Sequence, residues 1–323
     1  MRYYDLTVTP AAGGIPKKWT SYPSGNFDPA ALNILFDIPI ATYATPIGAQ
    51  TITVEGIRLQ DISESQQYAG QILTLKAGML GGLPLETPSQ SGLITQGFIF
   101  QSFGNWIGTD MTLDFVILPS VNTRSTPGNY TLNWAKGESL ASALQNTLNG
   151  LVKPPGGTAL PVSINIANSY VNNHHVLHVA TTLEELASFV HTATKKNPNG
   201  PVNITIQRGT VFVFDSTYQP SVVQIRFNDL IGQPTWISTQ TIQVKTVLRA
   251  DLQIGSIIQM PQGYQDNPGF VTTTAQSYPS SFKYKSAFTR QFQVIKLRQI
   301  GNFRASDSGE WASIFNCIEI PNG

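Results

Sequence analysis

Cysteine is almost absent: Cys317 stands alone in 323 residues, which excludes an intramolecular disulfide and fits folding in a reducing cytoplasm. Charge is scarce as well, at 12% of residues, about half the share of an ordinary soluble protein. The 20 basic and 19 acidic side chains are spread without blocks and leave a net charge of +1, so no electrostatic footprint for gripping nucleic acid is present. Long apolar runs are missing too. Ile34 to Ile40 is interrupted by Asp37 and Pro39, far from the roughly 20 apolar residues that a spanning helix needs. The opening stretch Met1 to Val8 has strand-like alternation and neither the apolar core nor the small-residue cleavage site of a signal peptide. The expectation is a protein that is soluble, or sits in a soluble assembly, without stable membrane association.

What is plentiful points to strands. Hydrophobic residues make up 41%, and 27 glycines and 21 prolines accompany abundant Thr, Ser, Asn and Gln. Such a mixture suits short strands, tight turns and uncharged polar surfaces that pack against other subunits. The length exceeds the usual single domain of roughly 100 to 200 residues, so more than one domain is expected.

Residues 1–133 read as strands cut by turn chemistry. Thr51 to Glu55 and Ile72 to Lys76 alternate polar with apolar, and Met111, Leu113, Phe115 and Ile117 fall on one face at period two. The period changes after Trp134. Leu140, Leu144 and Leu148 recur at helical spacing before Gly150, and Val162, Ile164 and Ile166 alternate as a strand. A second helix opens at Thr181 and Thr182, where Thr181 with Glu184 and Thr182 with Glu185 form offset capping-box patterns. Val202 to Phe214 reads as a hairpin turning at Arg208 and Gly209. From Tyr218 the strands resume, with Ile242 to Leu248, Phe288 to Arg298 and Trp311 to Ile320. The expected class is mainly β with an α/β module: a β domain over 1–133, an α/β domain over 134–217 and a second β domain over 218–323. No fixed-period repeat is visible.

The search for chemistry yields no complete constellation. His174 and His178 would share a face on a helix at metal-ligand spacing, but zinc-peptidase chemistry needs a Glu after the first His, and His175 occupies that position. The segment Val176 to Ala180 reads as a strand leading into the capped helix, which makes these ordinary surface histidines, and His191 falls on the polar side of that helix. Gly137-Glu138-Ser139-Leu140-Ala141 departs from the hydrolase elbow at its last position and is better read as a helix start. Neither a phosphate-cradling loop nor a dinucleotide fingerprint occurs. Glu64, Glu86, Asp110 and Asp114 could supply a glycosidase pair, yet Asp110 and Asp114 point away from the face carrying Leu113 and Phe115. Trp19, Trp106, Trp134, Trp236 and Trp311 could stack sugars, although large aromatics in β proteins fill cores and interfaces more often. No catalytic, cofactor-binding or metal residue is assigned, and the chain is expected not to be an enzyme.

Several stretches carry a family likeness. Asp61-Ile62 through Gly82-Leu83-Pro84-Leu85, Gly92 to Gly97 and Phe103-Gly104-Asn105-Trp106-Ile107-Gly108-Thr109-Asp110-Met111-Thr112-Leu113 are followed by Ile231 to Trp236, Val247 to Gly255 with Pro261, and Leu297 to Arg304 with Trp311. Together they resemble the baseplate hub proteins of contractile-tailed bacteriophages. The resemblance implies two tube-type β-barrel domains flanking a small α/β domain. It further implies a homotrimer whose ring joins the tail tube protein to the central spike protein and contacts other baseplate proteins. DNA would pass through the lumen as cargo, the site of residence would be the virion tail baseplate, and assembly would take place in the host bacterial cytoplasm. Spike or lysozyme modules would be separate chains. The alternatives are another tail component (tube, wedge or adaptor) and, further off, a carbohydrate-binding or cell-wall-degrading tail protein, which a cleft with paired carboxylates would favour.

Overall fold

Period-two alternation becomes a buried sheet face in strand after strand. In β1 (Arg2–Thr9) Tyr4, Leu6 and Val8 are buried while Tyr3, Asp5 and Thr7 occupy the other face. The same logic buries Ile34, Phe36, Ile38 and Ile40 of β3 (Asn33–Ala41) and Leu113, Phe115 and Ile117 of β7 (Asp110–Leu118). The computed structural model describes residues 1–10, 13–42, 50–80, 90–118, 128–150, 152, 159–238, 240–261 and 290–320. The fold is mainly β with a small helical content. The expected strand at Phe288 begins outside the described residues and is seen from Gln291.

The N-terminal strands are completed by β2 (Lys17–Thr20), β4 (Gln50–Glu55), β5 (Ile72–Met79) and β6 (Gly92–Ile107), with a short helix α1 (Leu59–Ser63). Strand β8 (Tyr130–Trp134), helix α2 (Leu140–Leu148), β9 (Val162–Asn165), β10 (Val176–Ala180), helix α3 (Leu183–Thr194), β11 (Asn203–Gln207) and β12 (Thr210–Phe214) follow. The C-terminal strands are β13 (Val223–Gln224), β14 (Thr235–Ser238), β15 (Thr241–Val247), β16 (Ile257–Gln259), β17 (Gln291–Asn302) and β18 (Trp311–Glu319).

Both β segments enter one 13-stranded sheet, ordered β14-β15-β18-β17-β3-β4-β7-β6-β5-β1-β2, with β16 and β13 attached beside β17. The seam between them is the antiparallel pair β3–β17, running from Leu35 opposite Asn302 to Ala41 opposite Lys296. They also share one hydrophobic core, in which Tyr4 and Phe115 from one segment join Phe292 and Phe315 from the other. Trp311 ties the seam together. Its ring meets Phe36 and Phe303 edge-on at 5.3 and 6.1 Å, and its Nε1 donates to the Gly78 carbonyl of β5 at 3.0 Å. Gly301 leaves the room for this packing, because a Cβ there would fall 2.2 Å from the Phe36 ring. Arg2 closes the end of the seam by donating to the carbonyls of Asn302, Phe303 and Asp307 at 2.8, 3.2 and 2.7 Å, and to that of Ala305.

The middle of the chain builds a second core from Tyr130, Leu132 and Trp134 of β8, the apolar stripes of α2 and α3, and Val211 and Val213 of β12. Strand β8 therefore packs with this core, although a boundary at 133 assigns it to the preceding segment. The reason is its antiparallel pairing with β10, Val176 opposite Trp134 to Ala180 opposite Tyr130. Local signals hold both helices. Ser139 accepts from the Ser142 N–H at 3.3 Å, and Thr182 and Glu185 close a reciprocal box at 3.2 and 3.4 Å. The competing Thr181–Glu184 pattern does not form; Thr181 instead donates its own N–H and hydroxyl to Glu185 at 2.8 and 2.7 Å.

Candidate functional site

The residues with chemical potential are dispersed. The histidine run sits before and on strand β10 rather than on a helix: His178 stacks on Phe189 of α3 with centroids 3.9 Å apart, and His175 Nε2 lies 2.6 Å from Asn133 Oδ1. His174 is exposed, and His191 Nδ1 lies 3.2 Å from Asn203 Oδ1. Among the described residues, no group of three or more His, Cys, Asp or Glu side chains converges on a common point.

The carboxylates follow the same pattern. Asp114 accepts from the Thr53 hydroxyl at 2.5 Å and from Asn105 Nδ2 at 2.8 Å, so both oxygens are engaged on the outer sheet face. Asp110 is exposed beside the β6–β7 turn, Glu64 accepts from Gln60 at 3.1 Å, and Glu86 lies outside the described residues. Ser139 serves as the helix cap already described. Cys317 is fully buried in β18, and burial pushes its thiol well up from the ordinary range. An open groove of about 290 Å³ runs along the seam, lined by Leu35, Phe36 and Ile300 together with Asp37, Thr53, Asn302 and Glu310. Each of these polar side chains is held by a partner, Thr53 by Asp114 as above. Arg298 forms a two-pronged pair with Asp37 at 2.8 and 2.6 Å, and Asn302 donates to Glu310 at 2.9 Å.

The tryptophans divide into two kinds. Trp19, Trp134 and Trp311 are core residues, whereas Trp106 is 61% and Trp236 42% exposed. Each exposed one marks a surface that alternation alone does not flag. Strand β6 runs for 16 residues beside the 8 of β5, so past Ile99 it continues as a hairpin with β7 that ends at Gly108 and Thr109. Helix α1 braces this arm where Gly104 lets the Ile62 carbonyl approach, since a Cβ there would meet that oxygen at 2.7 Å. The arm exposes Phe103, Trp106 and Ile107. The sequence signal is a loss of alternation, with apolar residues falling on both faces of one strand. At the far end of the sheet, β14 is exposed along its whole length.

The module is fixed to the sheet by the β11–β12 hairpin. Arg208 and Gly209 adopt φ of 52° and 72°, the left-handed pair that a two-residue turn requires. Gln207 exchanges hydrogen bonds with the backbone of Ile254 at 2.9 and 3.3 Å, and Arg208 donates to the Leu252 carbonyl at 2.8 Å. Burial of that guanidinium pushes its pKa down to about 10. Thr205 donates to the Ala41 carbonyl at 2.9 Å. Strand β12 then divides its faces, Val211 and Val213 entering the second core and Phe212 and Phe214 the first. A further buried network lies nearby, with Arg249 bridging Asp229 at 3.1 Å and Asp251 at 2.7 Å.

No protein-family profile matches the chain, and no curated protein matches it in sequence. Among solved structures, the 43 kDa tail protein of prophage MuSo2 from Shewanella oneidensis superposes with a TM-score of 0.52 at 9% identity, over 99% of this chain and 98% of that one. The tail protein from Neisseria meningitidis MC58 gives 0.49 at 10% identity, over 98% and 96%. A chain of the PdpA-VgrG complex gives 0.46 at 8% identity, over 99% of this chain and 65% of that one. Of these three, the MuSo2 protein is the one whose score supports a common fold.

Proposed function

We propose that this chain is a structural component of a bacteriophage tail, and that within the tail it is the baseplate hub. The observation that carries the reading is the end-to-end likeness in fold to the MuSo2 tail protein, which covers both chains almost completely. The hub assignment adds the resemblance of the segments around Phe103 to Asp110, Val247 to Gly255 and Leu297 to Arg304. A trimer offering two tube-type β domains per copy, over 1–133 and 218–323, would present six such domains to a sixfold tube and three equal faces to a threefold spike. The α/β module would stand outside the ring against other baseplate proteins, and DNA would pass through the lumen. Near-neutral charge supports a conduit, because a strongly cationic wall would retain the duplex.

The role is structural rather than enzymatic. Asp114, Ser139 and Glu185 are each engaged in hydrogen bonds that order strands and helix ends. Electron microscopy of tail tips tests the assignment. The expected image contains three copies in one ring between tube and spike, with the two β segments of each copy superposing as similar barrels. Six copies at one level, or β segments of unrelated fold, would return the protein to the tube or wedge class. Purified cell wall should stay intact in the presence of the isolated chain.

A further inference from the structure

The two ends of the large sheet are finished differently. Strand β2 carries Lys17 and Lys18, held to Asp61 and Asp5 at 2.5 and 2.7 Å, and charged side chains of this kind deter strand addition. Strand β14 has no charged residue, pairs only with β15 among the described residues, and exposes Ile237 by 50% and Trp236 by 42%. Three strands inward, β17 bulges between Val294 and Lys296, and Ile295 is 36% exposed there. Lys296 lies in the same cross-strand row as Asn316, Gln243 and Thr235. Lys245, Lys296 and Arg298 thus form a basic stripe over β15 and β17, and among the described residues Arg298 alone has an acidic partner, Asp37.

The projecting β6–β7 arm has the opposite character. Phe103, Trp106 and Ile107 are 48%, 61% and 77% exposed. Asp110 beside them is exposed, with no closer partner than the Thr109 hydroxyl at 3.5 Å, and Asp114 follows on the same face.

We propose that a second copy of this chain joins these surfaces: the arm of one copy seats on the β14–β17 margin of the next, with Asp110 facing Lys296. The inference rests on the assembly reading above and names its contact. Two features favour a second copy meeting head to tail. The patches are unlike in charge and occur on one chain, so a single heterologous contact covers both. A symmetric arm-to-arm contact would set Asp110 against Asp110 in a desolvated place, which like charges oppose. Apolar anchors bordered by charge have the anatomy of an interface hot spot.

Sedimentation equilibrium of the full chain tests the contact. Asp110→Lys and Lys296→Asp should each weaken self-association by at least about tenfold, since each sets like charges opposite one another. The double variant should regain most of the loss. Ile107→Ser should weaken association without altering charge. All of these side chains are exposed, so unchanged thermal unfolding serves as the control for folding. A chain that stays monomeric at high micromolar concentration, single variants that associate like the parent, or a double variant as weak as the singles would overturn the proposal. A trimer indifferent to Asp110 and Lys296 would sink this contact and leave the hub reading standing. Absence of the chain from tail tips would sink the hub reading and leave the charge-swap result untouched.

Discussion

The large sheet and the α/β module bury their apolar residues by different routes. In the sheet each strand contributes one face, and the core closes only when strands from opposite ends of the chain pair, as β3 does with β17. In the module short strands are covered by neighbouring helices, each started by its own capping side chain. The sheet therefore depends on loop closure over long sequence separations, whereas much of the module's order is local. The two meet at β12, which gives side chains to both cores.

That comparison can be broken in graded steps. The largest effect is expected at the seam: Trp311→Ala should cost about 3–5 kcal/mol, measured by urea unfolding, with fluorescence and circular dichroism transitions still coinciding if the two cores unfold together. Next comes Gln207→Leu, which leaves the Ile254 N–H and carbonyl without the partner amide and should cost about 1–3 kcal/mol. Here the expected sign of decoupling is a separation of the two transitions, and coincident transitions would show that β12 alone suffices. Thr182→Ala should cost about 1 kcal/mol and raise hydrogen exchange in the first turn of α3 while leaving the sheet amides unchanged. Smallest of all, chelators should not move the melting temperature, because the histidines near β10 are occupied by Phe189 and Asn133. A drop reversed by zinc would show that they hold metal.

Much of the local structure is written in local patterns. The alternation at Leu113, Phe115 and Ile117 locates β7, the Thr182–Glu185 box starts α3, and Arg208-Gly209 turns the β11–β12 hairpin. Pairing partners are another matter. Nothing near Ile38 indicates that it lies opposite Gln299, because periodicity specifies a face and not a neighbour. Strand β8 shows the same limit at a boundary: only its pairing with β10 assigns it to the module. Which tryptophans face solvent is less legible still. Trp106 and Trp311 are the same residue type in similar strand contexts, and their opposite burial follows from the extra length of β6 beyond β5. The ion network at Arg249 gives no local signal either, since its partners Asp229 and Asp251 look like ordinary turn residues.

Strand β12 has a mechanical consequence. Successive side chains point into different cores, so the strand behaves as a strut shared by two bodies and not as a tether between them. A load on α3 reaches the sheet through Phe212 and Phe214, whose rings press on Tyr218 at 5.1 and 6.2 Å, with no slack segment at that strand to absorb it.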